Sequence, residues 1–268
     1  MNATRGYLER GPDRIYFEAT GHGEPVVLIP GFTLDLRMWE PQVEPLARSY
    51  RVVRYDVRGF GRSVPVLTPH APAAEDLLAI LDHLEIPQTH LVGMSMGGRI
   101  AIDFALTHAD RVRRVVTIGA DLSGFPHSDE WNAKWTPMVE AAQRGDLATS
   151  KRLWLADRLL TPVPDRAEVA EIVHRIVEEC LCQQWANTDL LPGEIAPPAA
   201  ARLGEFGVPL LVLVGAHDDP DIRRIADTLA TEVRGARRVV IEDGGHLVNL
   251  ERPDRINRLL LEFLEEKR

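Results

Sequence analysis

Thr89-His90-Leu91-Val92-Gly93-Met94-Ser95-Met96-Gly97-Gly98-Arg99-Ile100-Ala101-Ile102-Asp103-Phe104-Ala105 reads as an apolar strand, a glycine-flanked serine and a helix in immediate succession. A serine at so sharp a strand-to-helix turn takes a strained backbone, and the residues two away on either side must be small for the chain to bend that tightly. Gly93 and Gly97 meet that demand. The turn lifts the hydroxyl clear of the sheet and sets it at a helix N-terminus, where unpaired N–H groups favour developing negative charge. Ser95 is therefore the candidate nucleophile. The pentapeptide alone is a weak signal, and the strand before it and the helix after it carry the reading.

Outward from this turn, apolar strand-like runs alternate with amphipathic helical runs, which predicts an α/β fold with a mostly parallel central sheet and helices on both faces. Strands are expected at Arg14–Glu18, Val26–Ile29, Arg51–Tyr55, Thr89–Val92, Val112–Ile118, Leu210–Val214 and Arg237–Ile241. Several are continuous aliphatic runs, as strands covered on both faces require. Helices are expected at Met38–Ala47, Ala73–Leu84, Met96–Leu106, Asp221–Ala230 and Pro253–Glu265. Strand signals vanish between about Leu122 and Leu203, where helix formers dominate and a Pro/Gly-rich stretch, Leu191–Pro198, closes the segment. Residues 1–121 and 204–268 thus read as one core domain, and 122–203 as an inserted helical cap.

A serine hydroxyl needs a base, because it is a poor nucleophile near neutral pH. Of nine histidines, His246 stands out, since the glycine pair Gly244-Gly245 after the last strand lets the loop swing an imidazole back over the sheet edge. The imidazole in turn needs an acid to fix its tautomer. Asp218 follows the strand Leu210–Val214 across Gly215-Ala216-His217, in the chain order Ser, Asp, His. Asp219 and Asp121 are the competing acids, both being at strand ends. The oxyanion hole is expected from the backbone N–H groups of Met96 and Phe32, the latter in the loop Pro30-Gly31-Phe32.

Four of the five tryptophans, Trp131, Trp135, Trp154 and Trp185, fall in the predicted cap, leaving Trp39 outside it. Either these rings form the cap's own core or some of them roof a pocket over Ser95. Trp131 and Trp135 share a helix face, with Met138 close to the same stripe; these three and Trp154 are the candidate pocket residues. Cys180 and Cys182 fall two apart on a predicted helix and so point to different faces, which disfavours a disulfide. With His174 as the one further ligand candidate nearby, no metal site is expected there.

The composition, 45% hydrophobic in 268 residues, permits a large core, and the net charge of −9 with scattered basic residues disfavours nucleic acid and anionic membranes as partners. Small molecules are the expected partners. No leader-like run opens Met1–Tyr16 and no run approaches the roughly 20 apolar residues of a membrane span, so the expected location is the cytoplasm. Oligomeric state is left open.

Taken together, Gly31-Phe32, Asp56-Val57-Arg58-Gly59-Phe60-Gly61-Arg62-Ser63, Gly93–Gly98, Asp218 and Gly245-His246 resemble the α/β-hydrolase superfamily. Thr33–Trp39, the Met-Ser-Met-Gly-Gly turn and His246–Glu251 are similar to its 3-oxoadipate enol-lactonase and small-ester esterase branch. Most superfamily members carry histidine before the oxyanion-loop glycine, whereas this chain has Pro30, which stiffens the loop and removes a polar brace. The resemblance implies a cofactor-free serine hydrolase of small esters or lactones working through an acyl-enzyme on Ser95, with Asp56 and Arg58 as scaffold residues. Alternatives of the same fold are a peracid-forming haloperoxidase-like enzyme, a carbon–carbon bond hydrolase, which Leu247 in place of the usual tryptophan disfavours, and a non-catalytic receptor for a small ligand. For an acidic substrate, Arg144, Arg152 and Arg158 are the cap's candidate anchors.

Overall fold

A computed structural model describes residues 4–266; Met1–Ala3, the start of the segment read as lacking a leader, lie outside the described residues. Its sheet has eight strands, β1 (Thr4–Arg10), β2 (Asp13–Gly21), β3 (Glu24–Ile29), β4 (Tyr50–Tyr55), β5 (Thr89–Met94), β6 (Val112–Ile118), β7 (Leu210–Gly215) and β8 (Arg237–Ile241). Their spatial order is β1-β2-β4-β3-β5-β6-β7-β8. The pairs β1–β2 and β2–β4 are antiparallel and the rest are parallel. β5 and β7 are buried at every position, because helices cover both faces of the sheet centre.

The seven expected strands are all present. β1 is the addition: a polar edge strand of sequence Thr-Arg-Gly-Tyr-Leu-Glu-Arg, exposed or half-exposed along its whole length, it lacks the apolar run by which its partners are legible. Covering helices are α1 (Glu40–Ala47), α2 (Ala73–His83) and α3 (Met96–Thr107). The segment after β6 supplies α4 (Asp129–Gln143), α5 (Leu147–Leu155), α6 (Ala167–Glu179) and α7 (Gln183–Ala186), and the chain after β7 supplies α8 (Pro220–Glu232), α9 (Val248–Glu251) and α10 (Pro253–Glu265). α1 packs on α10, α2 on α3, and α8 on β7. The helix expected from Met38 instead begins at Glu40 after a 3-10 turn, Leu36–Trp39, because Pro41 favours the first helical turn and lacks the N–H of an interior position.

The cysteines do not share a helix. α6 ends at Glu179 and α7 begins at Gln183, so the chain turns between them, with Cys182 at φ 49° and its amide donating to Cys180 Sγ at 3.3 Å. Both thiols are free and buried.

Two buried polar clusters brace the sheet edge under the site. Arg58 donates from Nη1 to Asp13 at 2.7 Å and from Nε to Asp76 at 2.8 Å, and all three are buried. Arg58→Met leaves the buried Asp13 carboxylate without its cation and Asp76 with Arg10 alone, at 3.1 Å, and is expected to cost about 3 kcal/mol in urea unfolding. Asp56 accepts from the amides of Leu36 and Arg62, each at 2.8 Å, which fixes the turn beside the loop Pro30–Phe32. Burial, with Asp35 adding repulsion, pushes the Asp56 pKa from 3.8 up to about 7. The native state then binds this proton more tightly than the unfolded chain. The Asp56 contribution to stability is greatest below about pH 4, declines as pH rises to about 7 and is constant above. Asp56→Asn is expected to flatten that part of the stability–pH curve, read by urea unfolding at each pH.

Candidate active site

The turn after β5 has the strained geometry that its sequence demands. Ser95 sits at φ 52°, ψ −119°, in a region that L-residues rarely occupy. The flanking glycines are required by contact rather than by torsion. A Cβ on Gly93 would lie 2.1 Å from the Gly97 carbonyl oxygen, and one on Gly97 would lie 2.1 Å from that of Ile29. α3 starts immediately after Ser95, whose carbonyl accepts from Gly98 at 2.9 Å and Arg99 at 3.1 Å. That leaves the Met96 amide in the first turn, among the N–H groups that a helix does not satisfy internally. The loop after β3 closes on this turn: a Cβ on Gly31 would stand 3.4 Å from Ser95 Cβ, which brings Phe32 beside the serine.

His246 Nδ1 lies 2.9 and 3.0 Å from the two carboxylate oxygens of Asp218, and both residues are buried. A carboxylate only accepts, so the ring proton belongs on Nδ1 and Nε2 is left with its lone pair. Asp218 is itself held by the Asp219 amide, which donates to Oδ1 at 2.7 Å. Ser95, His246, Gly31 and Phe32 line one small cleft of about 10 Å³, so the serine, the imidazole and the oxyanion loop converge. Of the competing acids, Asp219 caps α8 and pairs with Lys134, while Asp121 lies 3.2 Å from His127 Nε2. Burial opposes the Asp121 charge, but contact with His127 and the Arg99 charge outweigh it and hold its pKa below the usual carboxylate range.

A buried glutamate that sequence reasoning missed holds the histidine loop. Glu251 accepts from the amide of Gly245, next to His246, at 2.6 Å, and from that of Val163, in the segment between β6 and β7, at 3.1 Å. Burial pushes its pKa up.

Beyond the cleft a cavity of about 330 Å³ opens between the sheet edge and helices α4, α5 and α7. Trp131, Trp135, Trp154 and Trp185 line it. Met138 does not. It is buried with Ala141 and Ala142 along the seam toward α5, whereas Val139, four residues on from Trp135, faces the cavity. The reason is the 3.6-residue turn, which keeps 131, 135 and 139 on one stripe and moves 138 to the next. Trp154 fills both roles foreseen for these rings. It is 2% exposed, yet reaches the cavity and donates from Nε1 to Thr33 Oγ1 at 2.7 Å, tying α5 to the oxyanion loop. Phe32 is the hub of the cluster, with ring centroids 5.9 Å from Trp135, 6.0 Å from Trp154 and 6.3 Å from Trp185. Its side chain thus shapes the cavity as well as positioning its amide.

The cap's candidate anchors for an acid, Arg144, Arg152 and Arg158, are exposed, in line with solvated surface residues. The arginine that lines the cavity is Arg99, with Asp121 and Glu194. Its position was readable in principle: four residues after the serine on α3, it lies one helical turn along the same face. Among the described residues no helix is long and apolar enough to cross a membrane.

Comparison with known proteins agrees with this architecture. RutD of Caulobacter sp. (strain K31), whose name proposes a carbamate hydrolase, is 36% identical over 265 residues, covering 94% of this chain and 96% of its own. The 3-oxoadipate enol-lactonase 1 of Acinetobacter baylyi is 29% identical over 235 residues, or 86% of this chain and 85% of that one. The crystal structure of the enol-lactonase from Burkholderia xenovorans LB400 superposes with a TM-score of 0.84 at 26% identity, covering 97% of this chain and 100% of the other. With the family model described as alpha/beta hydrolase fold matching residues 24–253, and with the strand order and the strained turn at Ser95 in place, the chain belongs to the α/β-hydrolase fold family.

Proposed function

We propose that the protein is a serine hydrolase of small carboxylic esters or lactones that works through an acyl-enzyme on Ser95. The observation that carries this reading is the convergence of Ser95, in its strained turn, with the Asp218-bound His246 in one cleft. Helices α4–α7 act as a cap, and the aromatic cavity beneath them holds the acyl group.

His246 Nε2 takes the Ser95 proton as Oγ attacks the substrate carbonyl, and Asp218 stabilises the imidazolium that results. The Met96 and Phe32 amides receive the oxyanion, each donor contributing on the order of 3 kcal/mol to the transition state. His246 then protonates the leaving oxygen, and water attacks the acyl-enzyme by the same route in reverse. The small cavity suits a compact acyl group, since about 330 Å³ is near the lower end of ligand pockets.

A fluorophosphonate is expected to add its mass at Ser95, and p-nitrophenyl butyrate to turn over many times per enzyme. Label at another residue, or no label on folded protein that also lacks turnover, would overturn the reading. The 36% identity to RutD favours carbamates as a second substrate class open to the same attack. Multiple turnover of a p-nitrophenyl carbamate would support it, whereas a single stoichiometric carbamoylation of Ser95 would count against it.

A further inference from the structure

The cavity beside Ser95 is lined mainly by aromatic and aliphatic side chains, with Gln184 and Thr188 among them, and Arg99, Asp121 and Glu194 are its charged residues. Arg99 is 4% exposed, and its Nη2 donates to the Pro192 carbonyl at 3.2 Å. Its Nη1 lies 3.4 Å from Glu194 and 3.7 Å from Asp103 but makes no hydrogen bond among the described residues. A buried guanidinium nitrogen without an acceptor is costly, because its desolvation is not offset by directed bonding. Asp103 is spoken for: on α3 itself and buried, it accepts from Ser123 at 2.9 Å. Glu194 is half-exposed, on the loop that follows α7, and can move aside. An oxygen acceptor entering the cavity therefore finds a donor at Arg99 once Glu194 yields.

The distance along α3 sets where that acceptor sits on the substrate. Four residues at about 1.5 Å rise put the Arg99 Cα about 6 Å along α3 from that of Ser95, a reach comparable to that of an oxygen borne on the carbon four bonds from the scissile carbonyl. The sign of the local field sets its charge. Asp121 and Glu194 line the cavity against the single cation of Arg99, with Asp103 behind it. A second carboxylate added by the substrate would meet an excess of its own sign, whereas a ketone, ester or amide oxygen would not.

The geometry points to Arg99 as a specificity-determining residue that selects acyl groups bearing an uncharged oxygen acceptor one helical turn from Ser95, with Glu194 and Asp121 turning away free carboxylates. This rests on the ester-hydrolase reading above and narrows its substrate class.

Three p-nitrophenyl esters test it, the hexanoate, the 5-oxohexanoate and the hydrogen glutarate, with kcat/KM of each divided by its rate with hydroxide. The wild type is expected to favour the 5-oxohexanoate over the hexanoate by about tenfold, the value of one hydrogen bond to a charged group, and over the glutarate by a similar factor. Arg99→Met combined with Asp103→Asn, which removes the cation and the carboxylate it neutralises together, is expected to abolish the preference for the keto ester. Glu194→Gln, at a half-exposed site with little risk to folding, is expected to raise the glutarate relative to the keto ester by several-fold. Equal wild-type rates for hexanoate and 5-oxohexanoate, or a preference unchanged in the folded double variant and in Glu194→Gln, would overturn the role of Arg99 while leaving ester hydrolysis standing. Failure of the wild type to cleave any of the three would instead remove the hydrolase reading on which it depends.

Discussion

Ser95→Ala is expected to lower kcat for p-nitrophenyl butyrate by about 10⁶-fold while leaving the unfolding midpoint close to that of the wild type. The loss is large because no neighbouring group can replace Oγ. Water attacking directly would gain only the oxyanion donors and the bound orientation of the ester. Stability should hold, because alanine keeps the Cβ that the turn already accommodates. Ser95→Gly separates the two effects: it abolishes turnover equally but relieves the strain at φ 52°, and is expected to raise stability by about 1 kcal/mol in urea unfolding. Turnover persisting in Ser95→Ala at even a hundredth of the wild-type rate would mean that another nucleophile does the work.

Asp218→Asn is expected to reduce kcat by about 10⁴-fold near neutral pH with little change in KM. Asp218 Oδ1 accepts from the Asp219 amide, so an asparagine that keeps its carbonyl oxygen there places its NH₂ at the Oδ2 position, 3.0 Å from His246 Nδ1. The ring then carries its proton on Nε2, where Ser95 needs a lone pair. Folding is retained, since the Asp219 contact survives, and the defect should appear in the pH profile of kcat rather than in thermal unfolding. A wild-type rate in this variant would pass the acid's role to another group, and Asp121 is disfavoured for it because its partner is His127.

Much of this architecture is legible in the chain because it follows from local constraints. Val26–Ile29 and Leu210–Val214 are apolar without alternation, and a run of that kind and length is a strand buried on both faces. β1 escaped because Thr4–Arg10 is an exposed edge with no such run. The cysteine pair was misplaced because nothing in Glu179–Gln183 marks the helix break that the packing of α7 imposes. The stripe that points Met138 at the cavity is only three residues long, and packing against α5 decides which side of α4 is buried.

The sequence by itself determined the strand-turn-helix at Ser95 and the succession of strands and helices along the chain, and it singled out Asp218 and His246 as candidates just beyond strand ends. Each depends on residues within a few positions of one another: glycines where a Cβ would strike backbone, or a polar residue at the end of an apolar run. Tertiary structure alone decided the choice of Asp218 over Asp121 as the partner of His246, the gathering of Trp135, Trp154 and Trp185 around Phe32, and the meeting of Arg99 with Glu194. Those contacts join segments tens of residues apart, and their geometry is set by how helices α4–α7 settle on the sheet, a packing outcome to which no short window of sequence is sensitive.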